Sequence, residues 1–384
     1  MTFSLSDFFP PQTEYFYSFP VGEDSSFFNY SSAWREELIA SRPFVCAGHN
    51  LKVVTFFAPA VSSTLTLLRD LGTPLISEDR LICLPEKINA NITGRRRNYL
   101  VKKSLAGLCS SGSFIMAQPL LDDRLRLKYP FPPELSIWCN DKKNMPLYIK
   151  EEYLPPRFAT FAKGKDFFES NITFPFPCVV KVSSSAGGDG VRICRTPLML
   201  GAAKKRFQAI QGTIFVEQYI ETVCNLGVQF GIPFQKDQPI EIIGVSQQLT
   251  TSQGEYLGAM VDPRVIPMRL ARITHELQKK ILPRIRARGW YGVGGFDVLV
   301  DGQGKFYFID GNFRMTAATS YLCLVKNHQI KDSPFATFTG TFRGSEKEFR
   351  TIIFPLAQEG GASQQIKITA LTSHLDGFHF NAAL

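Results

Sequence analysis

Phe296–Arg314 reads FDVLVDGQGKFYFIDGNFR. Its runs Phe296–Val300 and Lys305–Asp310 are rich in Val, Phe and Tyr, and Asp301-Gly302-Gln303-Gly304 between them is a strong hairpin signal. With an even-numbered loop, side-chain alternation puts Asp297 on one face with Phe306, Phe308 and Asp310. The same period carries Asn312 and Arg314 to that face while the backbone stays extended. Asp297 and Asp310 become near-diagonal neighbours, close enough to share a cation and too alike in charge to sit together without one. Two hard carboxylates, an amide oxygen and an arginine just beyond suit magnesium carrying a nucleotide's phosphates.

Upstream, Lys181 ends the apolar run PCVVKV and is followed by Ser183, Ser184, Ser185, Ala186, Gly187, Gly188, Asp189 and Gly190. A lysine on a buried strand needs an anionic partner, and small flexible residues let backbone N–H groups close on phosphate oxygens. Taken alone, the segment reads as a hairpin turn beside a snorkelling lysine. It is not a Walker A loop, since no Gly-Lys-Ser/Thr follows. Glu217–Glu221, in TIFVEQYIE, closes an alternating, half-exposed strand.

The chain has 384 residues, enough for two or three domains, and its composition is ordinary apart from 33 Phe. No apolar run reaches the roughly 18 residues that a membrane helix needs. The first residues, MTFSLSDFFPP, lack the basic start of a signal peptide, so a cytoplasmic location is expected. Eight scattered cysteines show no CxxC pair or zinc spacing and read as small hydrophobes rather than a disulfide framework. The formal charge of +9 is densest at Arg95-Arg96-Arg97 with Lys102 and Lys103. No nucleic-acid-binding motif accompanies it, so a solvated basic face is the preferred reading, with a mild field that draws anionic substrates inward.

From Leu51, LKVVTFFAP reads as a buried strand, VSSTLTLLRDLG as a helix stopped by Gly72, and RLICLP as a second strand, an order that favours parallel pairing. Helices are also expected near residues 32–40 and 97–109, and a strand at SFIMAQP. The main boundary falls near residue 130, in a Pro-rich link. Beyond it, the helix TPLMLGAAKKRFQAIQG and a long helix over about residues 268–288, kinked at Pro283, alternate with strands. The tail reads as short strands, ATFTGTF, TIIFPL and QIKITAL.

In their order along the chain, Asp141-Lys142, the strand lysine with its glycine-rich loop, FVEQYIE and the hairpin ending Asp-x-Asn-x-Arg resemble the ATP-grasp superfamily. Within it they look most like carboxylate–amine ligases of amino acids and peptides. The resemblance covers about residues 136–320. It implies an N-terminal α/β domain over residues 1–130, then a two-lobed α+β ATP-grasp fold over 131–330 with ATP held between antiparallel sheets. Residues 131–215 would form the smaller lid lobe and 216–330 the metal-binding lobe, with 331–384 packed on them as a C-terminal extension.

The resemblance also implies roles. Lys142 and Lys181 would contact the phosphates, with Lys143 competing for the place of Lys142. Ser183, Ser184, Ser185, Gly187, Gly188 and Gly190 would fold over them as a lid. Glu217 and the backbone of Gln218 and Tyr219 would hold the adenine edge, Ile220 would pack on the ring, and Glu221 would take the ribose hydroxyls. Asp297 and Asp310 would bind magnesium, Asp310 bridging two ions and Asn312 completing the second, with manganese able to substitute. Two departures stand out: the family more often has Glu at Asp310, and Asn225 occupies a position that often borders the nucleotide or metal.

The implied reaction activates a carboxylate with ATP as an acyl phosphate, which an amine converts to an amide, releasing ADP and phosphate. Arg314 would face the transferred phosphoryl group and share charge neutralisation with Lys181. Arg264, in VDPRVIP, is the candidate clamp for the substrate carboxylate, and reads equally as an exposed loop arginine. The implied partners are a small carboxylate and an amine such as an amino acid or short peptide, with no nucleic acid and no membrane; a homodimer is compatible with the resemblance. Phosphoryl transfer to a hydroxyl, or nucleotide binding without turnover, are the competing functions. Retention of Lys181, Asp297, Asp310, Asn312 and Arg314 argues against the last.

Overall fold

The computed structural model describes residues 3–18 except 12, 38, 40–55, 58–73, 76–83, 103–108, 112–116, 119, 127–185, 190–251, 256–261, 268–327, 335–358, 367–374 and 377–383. Most of the helices expected near 32–40 and 97–109, and all of the basic cluster but Lys103, lie outside the described residues.

Four short strands, β1 Tyr15–Ser18, β2 Leu51–Thr55, β3 Leu81–Cys83 and β4 Ser113–Met116, make a parallel sheet in the order β3-β2-β1-β4. As the hydrophobic runs predict, a helix over Ala58–Asp70 crosses from β2 to β3, and the chain turns beyond it at Gly72, with φ +65°.

A second, antiparallel sheet joins β5 Arg157–Phe161, β6 Cys178–Val182, β7 Val191–Cys194 and β8 Ile214–Gln218 in the order β5-β8-β6-β7. The helix Pro197–Phe207 covers it. Its Thr196 cap accepts from the Met199 N–H at 3.3 Å, and Leu200, Ala203 and Phe207 pack on Val180 and Val216.

The third sheet has eight antiparallel strands: β9 Thr222–Ile232, β10 Glu241–Thr250, β11 Tyr256–Val261, β12 Gly292–Asp301, β13 Phe306–Asn312, β14 Phe335–Arg343, β15 Lys367–His374 and β16 Gly377–Ala383. Their order is β13-β12-β9-β10-β11-β14-β16-β15, so strands of the tail continue this sheet edge to edge. One face packs against residues 268–287, where Ile273, Leu277, Leu282 and Ile285 meet Val228, Phe230, Phe296 and Val298. Each such side chain taken from water contributes roughly 1.5–3 kcal/mol. Around the expected kink the helix runs α over Met268–Glu276, π over Leu277–Ile281 and α again over Leu282–Ala287, so Pro283, which has no N–H to donate, falls directly after the π segment.

One tail expectation is corrected. TIIFPL lies inside the helix Glu346–Gln358, not in a strand. Ser345 and Glu348 cap that helix reciprocally: the Glu348 carboxylate accepts from Ser345 N–H at 2.7 Å, and Glu348 N–H donates to Ser345 Oγ at 3.3 Å. Among the described residues no helix is long and apolar enough to cross a membrane.

Candidate active site

The hairpin β12–β13 forms around Asp301, whose Oδ1 accepts from the N–H groups of Gln303 and Lys305, both at 2.9 Å, while Gly304 takes φ +82°. Near the turn the register is one residue off that of an even-numbered loop, with Val300 opposite Phe306 and Val298 opposite Phe308. These four side chains belong to the buried core. Between Val298 and Asp297 the register shifts by one residue, so Ile309 is extra and Asp297 lies directly across from Asp310. The expected sharing of a face by Asp297 with Phe306 and Phe308 is therefore corrected. The register at the turn turns Asp297 away from the rings, and the bulge brings Asp310 to that same face as its direct cross-strand partner.

Asp297 Oδ1 accepts from Gln248 Nε2 at 2.6 Å, and its Oδ2 is 3.4 Å from Asn312 Nδ2. Asn312 Oδ1 in turn accepts from Arg314 Nη2 at 2.8 Å. At Gly295, across from Asn312, a Cβ would lie 2.6 Å from the Gln229 side-chain amide, which would have to shift. Burial, and then the neighbouring Asp310, push the Asp297 carboxyl up to about 7, with Gln248, Lys142 and Arg314 acting in the opposite sense. Such a pair accommodates a divalent cation. Among the described residues no group of three or more His, Cys, Asp and Glu gathers as a metal cluster. Two carboxylates and an amide leave most of an octahedral shell to waters and phosphate oxygens, as magnesium prefers.

Lys142 opens a six-residue 3-10 segment whose cap, Asp141, accepts from Lys143 N–H at 3.1 Å. Its buried ammonium bonds Asp310 Oδ2 at 2.9 Å and the Ser185 carbonyl at 3.0 Å, spanning from the β12–β13 hairpin to the glycine-rich loop. Lys143 points away and pairs with Asp141 at 3.0 Å. Lys181 and Glu217 are both buried and meet at 2.8 Å, and the other Glu217 oxygen takes Arg157 Nη2 at 3.2 Å. Strand pairing sets this up, with Arg157 and Val179 flanking Glu217. Both oxygens of Glu217 are thus engaged by cations.

Ile220 is buried, Glu221 is exposed, and Tyr219 lies under the Arg195 guanidinium at 5.2 Å. Gln218 N–H donates to the Pro156 carbonyl. Ser183 and Gly190 are buried, Ser184 is exposed and Ser185 is half-buried, while Gly187, Gly188 and Arg264 lie outside the described residues. Asn225 pairs with Leu299, and its Oδ1 is buried with no hydrogen-bond partner. The sequence reading missed Gln248, Arg157 and Tyr148, whose buried hydroxyl also has no hydrogen-bond partner. The polar pair Gln247-Gln248 ending an apolar strand was the available signal for the first; nothing local marks the other two.

A lysine-bearing antiparallel lobe facing a sheet that presents Asp297, Asp310 and Asn312 defines an ATP-grasp fold. Residues 156–312 match the family model described as L-aspartate--L-methionine ligase, ATP grasp. The D-alanine--D-alanine ligase of Pseudomonas fluorescens (strain Pf0-1) is 27% identical over 211 residues, 54% of this chain and 58% of its own length. The 2-oxoglutarate carboxylase small subunit of Hydrogenobacter thermophilus is 26% identical over 161 residues, 36% of this chain and 30% of its own length. This chain therefore spans well under two thirds of either relative. Among solved structures, the ADP complex of an N5-carboxyaminoimidazole ribonucleotide synthetase superposes with a TM-score of 0.56 at 11% identity, covering 98% of this chain and 93% of that one, which speaks for the fold.

Proposed function

We propose that the protein is an ATP-dependent carboxylate–amine ligase that forms an amide through an acyl phosphate and releases ADP and phosphate. The observation that carries this reading is the unbroken polar line from Gln248 through Asp297 and Asn312 to Arg314, with Lys142 tying Asp310 to the loop after Lys181. The names of the matching family and of the Pseudomonas relative, both amino-acid ligases, support it.

The roles follow from what each group already holds. Lys142 occupies the gap between loop and hairpin and would exchange Asp310 and Ser185 for phosphate oxygens. Lys181 stays oriented by Glu217 and adds positive charge on the lid side. The backbone of residues 218–220 would hold the adenine edge, with Ile220 against the ring and Glu221 at the ribose. Asp297, Asp310 and Asn312 would hold magnesium, which when bound supplies the positive charge that lets Asp297 ionise beside Asp310 and polarises the phosphoryl group. Arg314, fixed by Asn312, is placed to neutralise charge on the transferring phosphoryl and then on the tetrahedral oxyanion.

The domain limits near 130 and 330 and a cytoplasmic setting are part of this proposal. Hydroxylamine trapping tests the reaction. Incubation with ATP, magnesium and pooled carboxylates should yield hydroxamates with stoichiometric ADP. A stable phosphorylated product would point instead to a kinase.

A further inference from the structure

Behind Arg314 the fold encloses a small cavity where the parallel N-terminal sheet meets the metal-binding lobe. Its walls include Tyr17 and Ile115 from the sheet, Phe131 from the link, and Trp290, Phe313 and Met315 from around the hairpin. Arg314 is the one charged residue in the lining, and no acid contributes to it among the described residues. The free volume is about 30 Å³. By the same measure a water needs roughly 10–15 Å³, so the space suits two or three non-hydrogen atoms and not a ring.

The walls are held in place by one another. Phe131 packs on Trp290 and edge-on against Tyr291, with centroids 5.9 and 5.4 Å apart, and Phe9 meets Tyr291 at 5.8 Å. Tyr291 Oη donates to the Pro130 carbonyl at 2.8 Å. A cavity framed this way neither collapses nor widens cheaply. An apolar wall with Arg314 as its one charged lining residue, its guanidinium held by Asn312 Oδ1 and the Met315 carbonyl, complements a carboxylate whose body is apolar and leaves a second negative charge desolvated and unpaired.

We infer that this cavity is the acyl-substrate chamber, and that the acid activated is a monocarboxylate with a short, uncharged aliphatic body of about two or three carbons, its carboxylate at Arg314. This rests on the ligase reading for the chemistry, but the chamber itself can be tested by binding alone. Adding or removing one methylene in such a pocket changes discrimination by about 10–200-fold. Ile115 is half-buried in the wall and distant in sequence from the reacting groups, which makes it the residue to vary.

The test is equilibrium dialysis of radiolabelled butyrate, hexanoate, succinate and 3-phenylpropionate with the full chain, magnesium and a non-hydrolysable ATP analogue. Butyrate should bind at least about 10-fold more tightly than succinate or 3-phenylpropionate. Ile115→Phe should abolish butyrate binding while analogue affinity and melting midpoint stay at parental values, and Ile115→Ala should shift preference toward hexanoate. If Ile115→Phe does not fold, the Ile115→Ala shift decides. Succinate binding as tightly as butyrate, or chain-length preference unmoved by Ile115→Ala, would overturn the inference. Hydroxamates formed only from dicarboxylates would remove the chamber and leave the ligase. Selective butyrate binding with no hydroxamate from any acid would remove the ligase and leave the chamber.

Discussion

Replacing Glu217 by Gln removes a charge while keeping the side chain's shape. The carboxylate is 4% exposed and takes Lys181 at 2.8 Å and Arg157 at 3.2 Å. In the variant, two cations face each other across β8 with a neutral amide between them. Breaking a buried pair by removing one partner costs roughly 3–5 kcal/mol. Arg157 is 27% exposed and also lies over the Phe215 ring at 4.1 Å, so part of its charge is already accommodated. The expected loss is therefore at the low end, about 3 kcal/mol, confined first to the lid lobe. Hydrogen exchange of the β6 and β8 amides reads that local loss, and urea denaturation gives the global check. Saturating ATP with magnesium should recover a large part of it, because the phosphates return an anion to Lys181. A variant within about 1 kcal/mol of the parent without nucleotide, or a deficit that ATP leaves untouched, would refute the placement of Lys181 between Glu217 and the phosphates.

Three other changes probe the metal-binding side. Asp297 has a carboxyl pushed up to about 7, so the metal-free fold resists its ionisation: that stability is full below about pH 4 and is lost as pH rises through 7. Asp297→Asn should raise metal-free stability at pH 8 by on the order of 2 kcal/mol, once partial exposure of the pair is discounted, while removing magnesium-dependent protection; urea midpoints at pH 5 and pH 8 check both. Arg314→Ala should lower turnover by roughly 100-fold or more with ATP affinity retained, as for loss of a transition-state donor, and steady-state kinetics beside nucleotide titration separate the two. Lys142→Met should weaken ATP binding and Lys143→Met should not, since only the first reaches Asp310; calorimetric titration of both decides it.

Much of the site was legible because its groups lie close in sequence. A hairpin signal and a period of two brought Asp297, Asp310, Asn312 and Arg314 together before any coordinates. The bulge at Ile309 was not legible, since nothing local distinguishes Ile309 from its neighbours; it is imposed by the need to keep Phe306 and Phe308 in the core while pairing the acids. Gln248 and Arg157 reach the site through strand order, two strands and one strand away from their partners, and strand order is not written in any single segment. Lys142 and Lys143 are adjacent, so only the tight turn capped by Asp141 separates their directions. The tail helix was misread because a six-residue apolar run fits strand and helix alike, although Ser345-Glu346-Lys347-Glu348 before it carried a capping-box signal.

The central claim is that ATP phosphorylates a carboxylate at Arg314 before any amine attacks. Isotope transfer tests it most directly: the acid is supplied with both carboxylate oxygens labelled with heavy oxygen, together with ATP, magnesium and an amine. The account predicts one labelled oxygen in each phosphate released, with ADP as the nucleotide product. Label appearing in AMP, with pyrophosphate released, would contradict it.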